Sequence, residues 1–217
     1  MSTIPTTMKA VGATAALPID DPSSLVDVVV DVPTVTGHDI LVQIKAVSVN
    51  PVDYKVRRAP QKPTIPQILG YDGAGVVVAV GSDVTLFKVG DEVYYAGSRI
   101  RQGTNAEFHA VDERIVGRKP TSLSFADAAS LPLTAITAWE AIFDRLNVPL
   151  KAPAPAKKSV LVLNGAGGVG SIAIQLLKEL TDVTVIATAS KPQSVAWVTQ
   201  LGADHVVNHA QDIPAQL

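Results

Sequence analysis

The chain has 217 residues, 47% of them hydrophobic, with 18 lysines and arginines against 20 aspartates and glutamates and a formal net charge of -2. That length allows one large or two small domains with a buried core, and the near balance of charge gives no electrostatic reason to expect nucleic acid or an anionic membrane as partner. There is no cysteine, which excludes disulfides, thiolate metal ligands and a cysteine nucleophile.

An apolar stretch from Ala10 to Leu17 follows Lys9, but polar interruptions deny it a signal-peptide layout. The longest apolar runs, around Gly75 to Val80 and Ser159 to Leu163, fall far short of the ~20 residues that span a bilayer. The expectation is a cytoplasmic protein with a small-molecule partner. From Lys9 to about Thr121 short valine-rich runs suggest strands over Val26 to Val32, Asp39 to Ser48, Gly73 to Val80, Glu92 to Tyr95 and Ala106 to Val111. Gly81-Ser82-Asp83 and Gly90-Asp91 supply turns between them. This all-β pattern predicts a compact barrel-like domain.

Between Ser124 and Asn147 the period becomes helical, with Ala128, Leu131, Ala135, Ala138, Ile142 and Leu146 on one stripe. Ser124 is a candidate cap, and Pro132 marks a break between two helices. The prolines and lysines from Pro149 to Lys158 read as a stiff exposed connector. Strand and helix then alternate: strand over Ser159 to Leu163, helix over Gly168 to Leu180, strand over Val183 to Thr188, helix over Lys191 to Leu201 and strand over His205 to Asn208. Such alternation predicts a parallel sheet with right-handed crossovers. Ile213 to Leu217 looks like the opening of another helix, so only one half of a doubly wound sheet is expected.

The strongest chemical motif is Gly165-Ala166-Gly167-Gly168-Val169-Gly170, placed after an apolar strand and at the start of a helix. In that context Gly165 serves a tight turn, Gly167 lets the backbone approach a pyrophosphate, and Gly170 permits close packing of helix on strand. Free N–H groups and the positive end of the helix dipole face the anion. A glycine-rich turn without ligand is the plainer alternative. The flanking strand and helix, with a second βα unit, favour dinucleotide binding. NAD sites carry an acidic residue about 20 residues further on, at the end of the next strand. Here that strand ends in Ala189-Ser190-Lys191, a hydroxyl and a cation suited to a 2′-phosphate, which points to NADPH. Helix capping by Ser190, with Gln193 at capping-box spacing, is compatible with that role.

Three sets of residues give the chain a family resemblance. They are Val49-Asn50-Pro51-Val52-Asp53; Leu69-Gly70-Tyr71-Asp72-Gly73-Ala74-Gly75-Val76-Val77 continuing through Val80-Gly81 to Phe87-Lys88-Val89-Gly90-Asp91-Glu92-Val93; and Leu131-Pro132-Leu133-Thr134-Ala135-Ile136-Thr137-Ala138-Trp139-Glu140 with the glycine loop. The chain resembles the medium-chain dehydrogenase/reductase superfamily, with its GroES-like catalytic domain. The resemblance implies a GroES-like β-barrel domain over residues 1–124, followed over 125–217 by leading helices and a partial Rossmann parallel sheet, α/β in class. Zinc alcohol dehydrogenases of this superfamily use cysteine, a Gly-His-Glu histidine and a four-cysteine lobe. This chain has no cysteine, has Tyr71 in place of that histidine, and its His38, His109, His205 and His209 do not replace the lobe.

What remains is similar to the zinc-independent quinone oxidoreductase branch. That implies NADPH-dependent hydride transfer to a quinone, an enone or a related carbonyl, with no metal. Orientation of the reactants and hydrogen-bond donors at the developing oxyanion then carry the chemistry. Asn50 and Tyr54 are the implied donors and Tyr71 a third candidate. Asp53 is expected to orient a neighbour or help bind cofactor, and Thr137 to contact the nicotinamide end. Asn50 and Asp53 are also natural turn residues beside a proline, and both tyrosines can be packing residues. Full-length members are expected to be homodimers. A nucleotide-binding or structural chain without turnover, or an inactive piece of a longer reductase, is the alternative.

Overall fold

The computed structural model describes residues 3–58, 66–151 and 158–217. The chain divides into two compact units, Met1–Leu133 and Thr134–Leu217. Most of the expected connector, residues 152–157, lies outside the described residues.

The first unit contains β1 (Thr7–Ala13), β2 (Val26–Asp31), β3 (Asp39–Ser48), α1 (Pro51–Arg57), β4 (Gln67–Ile68), β5 (Asp72–Val80), β6 (Glu92–Ala96), β7 (Phe108–Asp112), β8 (Gly117–Arg118) and α2 (Phe125–Ala129). Its strands make two antiparallel sheets, in the orders β2-β1-β4 and β7-β3-β5-β6-β8. Alternation along β3 divides the core. Ile40 and Val42 join Val77, Val93, Tyr95 and Val111, whereas Leu41 packs with Met8, Ala10, Ile68 and Phe108.

The expected barrel is not formed: neither sheet closes on itself, and β7 and β8 remain the ends of the larger one. Closure needs tilted end strands long enough to share a ladder. Here β8 and β4 are two residues each, and one isolated bridge, Ala10 to Ala106, is recorded outside the named strands. Regular strand spacing in the sequence does not say which edges meet, and the two-residue β4 and β8 fall outside the expected strand runs. Two further elements escaped the alternation pattern. The Ala10 to Leu17 stretch contributes to β1, and Asn50-Pro51 starts α1 rather than a turn, because proline at the first helical position has φ preset and no N–H to lose.

Among the described residues, the buried polar side-chain atoms of this unit find hydrogen-bond partners except Arg57 Nε. Tyr95 and His109 stack at 5.5 Å; the Tyr95 hydroxyl donates to His109 Nδ1 at 3.0 Å, and Nε2–H donates to the Gln102 carbonyl at 2.9 Å. Burial holds His109 neutral, with its pKa pushed down to about 4. The buried Glu113 carboxylate accepts N–H bonds from Thr85 at 3.0 Å and Leu86 at 2.7 Å and faces His38 Nδ1 at 3.1 Å. Burial pushes its pKa up, but these donors outweigh that and lower it.

The helical stripe becomes α2, then α3 (Pro132–Trp139), with a π-helical extension over Glu140–Arg145. Ser124 caps α2 as expected, its hydroxyl accepting from Asp127 N–H at 3.1 Å. Pro132 opens α3, so the break falls where the proline predicts. In the second unit β9 (Ser159–Val162), α4 (Gly168–Leu180), β10 (Thr184–Thr188), α5 (Pro192–Gln200) and β11 (His205–Val207) alternate. The three strands are parallel in the order β11-β10-β9. That is the 3-2-1 portion of a doubly wound sheet. The expected last helix is a single 3-10 turn over Pro214–Gln216.

Ile174 and Leu177 of α4, Val185 and Ala187 of β10 and Val198 of α5 are all fully buried in one cluster. Among the described residues no helix is long and apolar enough to cross a membrane. Ile174 links this core to the glycine loop, since its Cδ1 lies 3.3 Å from where a Gly165 Cβ would sit. Truncation there leaves a cavity under the loop. Urea unfolding of Ile174→Ala is expected to show a loss of about 2–5 kcal/mol, against about 0.5–1.5 kcal/mol for Ile174→Val; equal, small losses would mean the site collapses freely.

Candidate functional site

In the second unit the glycine loop follows β9 and enters α4 at Gly167, its N-cap. The left-handed residue of the turn is Asn164, at φ 53, rather than Gly165; asparagine tolerates that region better than most side chains. Gly165 is instead required by packing, because a Cβ there would meet Ala187 Cβ at 2.9 Å. A Cβ on Gly170 would lie 2.5 Å from the Asn164 carbonyl oxygen and 2.8 Å from Gly165 Cα, so helix and turn backbones touch. A Cβ on Gly167 would meet the Asn164 side-chain nitrogen first, at 2.7 Å, and the Asn164 carbonyl oxygen less closely, at 3.2 Å. The first helical bond recorded is Ser171 N–H to the Gly167 carbonyl at 2.8 Å. The N–H groups of Gly168, Val169 and Gly170 thus form the first turn, which has no intrahelical acceptors.

Strand β10 holds this loop. Thr188 accepts Asn164 N–H on its hydroxyl at 2.8 Å and Gly165 N–H on its carbonyl at 3.1 Å. Two residues on, Ser190 and Lys191 are exposed beyond the carboxyl end of β10, beside the loop's own strand in the sheet. The N-cap of α5 is Lys191, with Pro192 first in the helix, so Ser190 precedes the cap and does not fill it as its spacing with Gln193 suggested. Thr137 is exposed on α3, whereas Thr134 is the residue of that helix beside the loop, its Cγ2 3.1 Å from a Cβ on Gly168.

In the first unit the structure brings Asn50 and Asp53 together and adds Asp72, which the motif reading had passed over. Asp53 accepts Asn50 N–H at 2.7 Å and Gly70 N–H at 3.0 Å; Asp72 accepts Asn50 Nδ2 at 2.7 Å and Leu133 N–H at 2.8 Å. Asp72 has no exposed surface, and burial pushes its pKa up to about 6 against the opposing bonds from Asn50 and Leu133. Burial raises Asp53 as well. Tyr71 is buried with Ala13, Val56 and Leu69, and burial pushes its hydroxyl above the usual tyrosine range while Arg99 opposes. Tyr54 stands apart on α1, half exposed, with the Arg58 guanidinium 5.7 Å over its ring. A sequence signal for Asp72 existed, since an acidic residue inside an apolar strand must find donors.

These residues fit a nucleotide and do not fit zinc. The loop offers uncommitted N–H groups around a position with no side chain, which is what a pyrophosphate requires. Zinc would need thiolate or imidazole ligands. The chain has no cysteine, and among the described residues no three His, Asp or Glu side chains are grouped to hold a metal.

Two outcomes follow. Gly170→Ala forces backbone apart and is expected to cost about 1–3 kcal/mol in thermal unfolding, while Gly167→Ala displaces mainly a side-chain end and costs less; the reverse order would contradict the close approach. A carboxyl whose folded pKa lies above its unfolded value favours the protonated fold. Stability is therefore expected to fall as pH rises from 3.8 to about 6, by on the order of 3 kcal/mol. Denaturant titrations of wild type and Asp72→Asn across that window should differ by this slope, and parallel curves would refute it.

Comparison with known proteins agrees with both units. Residues 36–131 match the alcohol dehydrogenase GroES-like domain family and residues 168–217 the zinc-binding dehydrogenase family. A zinc-dependent alcohol dehydrogenase protein from Rhizobium etli CFN 42 superposes with a TM-score of 0.90 at 60% identity, covering 97% of this chain and 61% of that one. The quinone oxidoreductase from Coxiella burnetii gives 0.79 at 34% identity, covering 97% and 65%. The NADPH-dependent alkenal/one oxidoreductase of Arabidopsis thaliana chloroplasts is 39% identical over 190 residues, 83% of this chain and 47% of that protein. The chain thus spans from about half to under two thirds of these relatives. With this order of units, and a donor set that cannot make a zinc site, the chain belongs to the medium-chain dehydrogenase/reductase family, in its zinc-independent, quinone oxidoreductase-like branch.

Proposed function

We propose that this protein is an NADPH-dependent reductase that delivers hydride to a quinone, an enone or a related carbonyl. The observation that carries the reading is the pairing of the glycine loop with Ser190 and Lys191 at the carboxyl ends of adjacent parallel strands, tied through Thr188. Ligands of doubly wound sheets bind at those ends. In this reading the N–H groups of Gly168, Val169 and Gly170 take the pyrophosphate, Gly165 and Gly167 keep the loop thin, and Thr137 serves the nicotinamide end. Ser190 and Lys191 take the 2′-phosphate, which a carboxylate at that strand end would repel; none is present in Ala189-Ser190-Lys191.

When bound, the nicotinamide supplies the hydride. The first unit serves as the catalytic part and the second as the nucleotide-binding part. The Asn50 amide and the Tyr71 hydroxyl are the donors to the substrate oxygen, and Tyr54 is a third donor on the exposed side of α1. Asp53 has both oxygens engaged by N–H groups, which suits it to holding Asn50 rather than to touching cofactor. The names of the Coxiella and Arabidopsis relatives supply the substrate class.

Calorimetric titration with NADPH and NADH, on wild type and a Ser190→Ala/Lys191→Ala variant, tests this. NADPH is expected to bind more tightly, and the double variant to lose about tenfold to a hundredfold for NADPH alone, the worth of charge-assisted bonds to phosphate. Equal affinities, or equal losses for both nucleotides, would sink the NADPH assignment. Absence of binding to folded protein would leave a chain of reductase fold without the activity.

A further inference from the structure

We propose that Asp72 is a positioning residue that fixes the Asn50 side-chain amide, so that one of its two N–H groups stays uncommitted for a substrate oxygen. The inference rests on the reductase reading and identifies how the chain prepares its donor. Asn50 is 6% exposed and Asp72 0%, so neither side chain turns freely toward water. A primary amide carries two donor hydrogens on nitrogen and an acceptor oxygen. One hydrogen goes to Asp72 Oδ2 at 2.7 Å. The other meets no acceptor among the described residues. The Asn50 backbone is also held, its N–H bonded to the Asp53 carboxylate at 2.7 Å within a capping box in which the Asn50 side chain faces the Asp53 N–H, so Asp72 and this cap act together on the amide's orientation.

The two oxygens of Asp72 are not equivalent. Oδ1 faces Leu133 N–H at 2.8 Å and must remain an acceptor. A proton taken up by this carboxyl therefore sits on Oδ2, the oxygen that faces Asn50. Ionised, Oδ2 accepts only, and the amide has one orientation, nitrogen inward. Protonated, Oδ2 becomes a donor and the amide turns its oxygen inward, which removes the N–H from its set position. Burial places that exchange near pH 6.

The groups facing Asp72 leave it free to do this. Asp53 on α1 is the charged neighbour that bears on it, and it raises the Asp72 pKa further. The paired positions are Ser48 on β3 and Ala96 on β6, and α2 meets the strand through Ala128 and Ala129 against Ala74. Tyr71, next in sequence, stays neutral near pH 6, with Arg99 at its hydroxyl. None of these offers Asp72 a cation to hold it ionised.

The amide can be followed directly in protein labelled with 15N-asparagine, its signals assigned by their loss in Asn50→Ala. Between roughly pH 4.5 and 8 the Asn50 side-chain signals are expected to shift with a midpoint near 6, and the shift to vanish in Asp72→Asn. Signals that do not titrate, or that titrate alike in Asp72→Asn, overturn the tie; the wild-type series alone suffices if that variant does not fold. In NADPH oxidation with 1,4-naphthoquinone, Asp72→Asn is expected to lower kcat about tenfold or more with the KM for NADPH unchanged, and to remove the acid limb of the wild-type pH profile. An unchanged kcat and acid limb overturn the positioning role. A wild type that binds NADPH yet reduces no quinone or enone counts against the reductase reading, and the amide titration still decides whether Asp72 sets Asn50.

Discussion

A carboxylate without exposed surface is the constraint on which the first unit turns. Asp72 sits at the head of β5, and segments far apart in sequence end on it: Asn50 by its side chain, Leu133 by its backbone N–H and Thr104 by its hydroxyl on the Asp72 carbonyl at 3.0 Å. Burying a carboxylate is costly unless donors surround it, and removing one donor leaves the rest of the penalty in place. The start of α1, the segment at Thr104 and the start of α3 therefore have little freedom to drift. Asp53 repeats the device one step away. Its two bonds join Asn50 to Gly70, and Gly70, at φ 99, occupies a backbone region that favours glycine.

The second unit reaches order by another route. Its loop is held by contacts between backbone and small side chains, and Thr188 is the point where strand meets loop. Glycines at 165 and 170 matter because neighbouring atoms already fill the space a Cβ would take. The result is a helix N-terminus whose first-turn N–H groups are fixed by the close packing of helix on turn. The two units are thus ordered differently, one by donors around a buried acid and the other by close backbone packing at a glycine loop.

The histidines illustrate how a family likeness can mislead when residue chemistry is ignored. Relatives carry zinc in their names, yet here His109 is a core residue held neutral between Tyr95 and Gln102, and His38 faces the Glu113 carboxylate. Both are engaged in hydrogen bonds that secure loops and strands. With no cysteine in the chain and these histidines committed to other partners, a thiolate and imidazole ligand set for zinc is not available.

The sequence by itself determined what depends on local pattern: the strand and helix alternation of the second unit, the cap at Ser124, the break at Pro132, the place of the glycine loop and the loss of a zinc ligand set. Periodicity, capping and donor chemistry are written in neighbouring residues, so they are legible without coordinates. Only the tertiary structure decided which strand edges pair, and it left two open sheets where even spacing had suggested a barrel. It also decided which polar residues meet. Asp72 and Asn50 are 22 positions apart and Asp72 and Leu133 are 61 apart, and nothing in either segment announces the other. Long-range hydrogen bonds form where the chain has folded back, and their partners are chosen by packing rather than by local sequence.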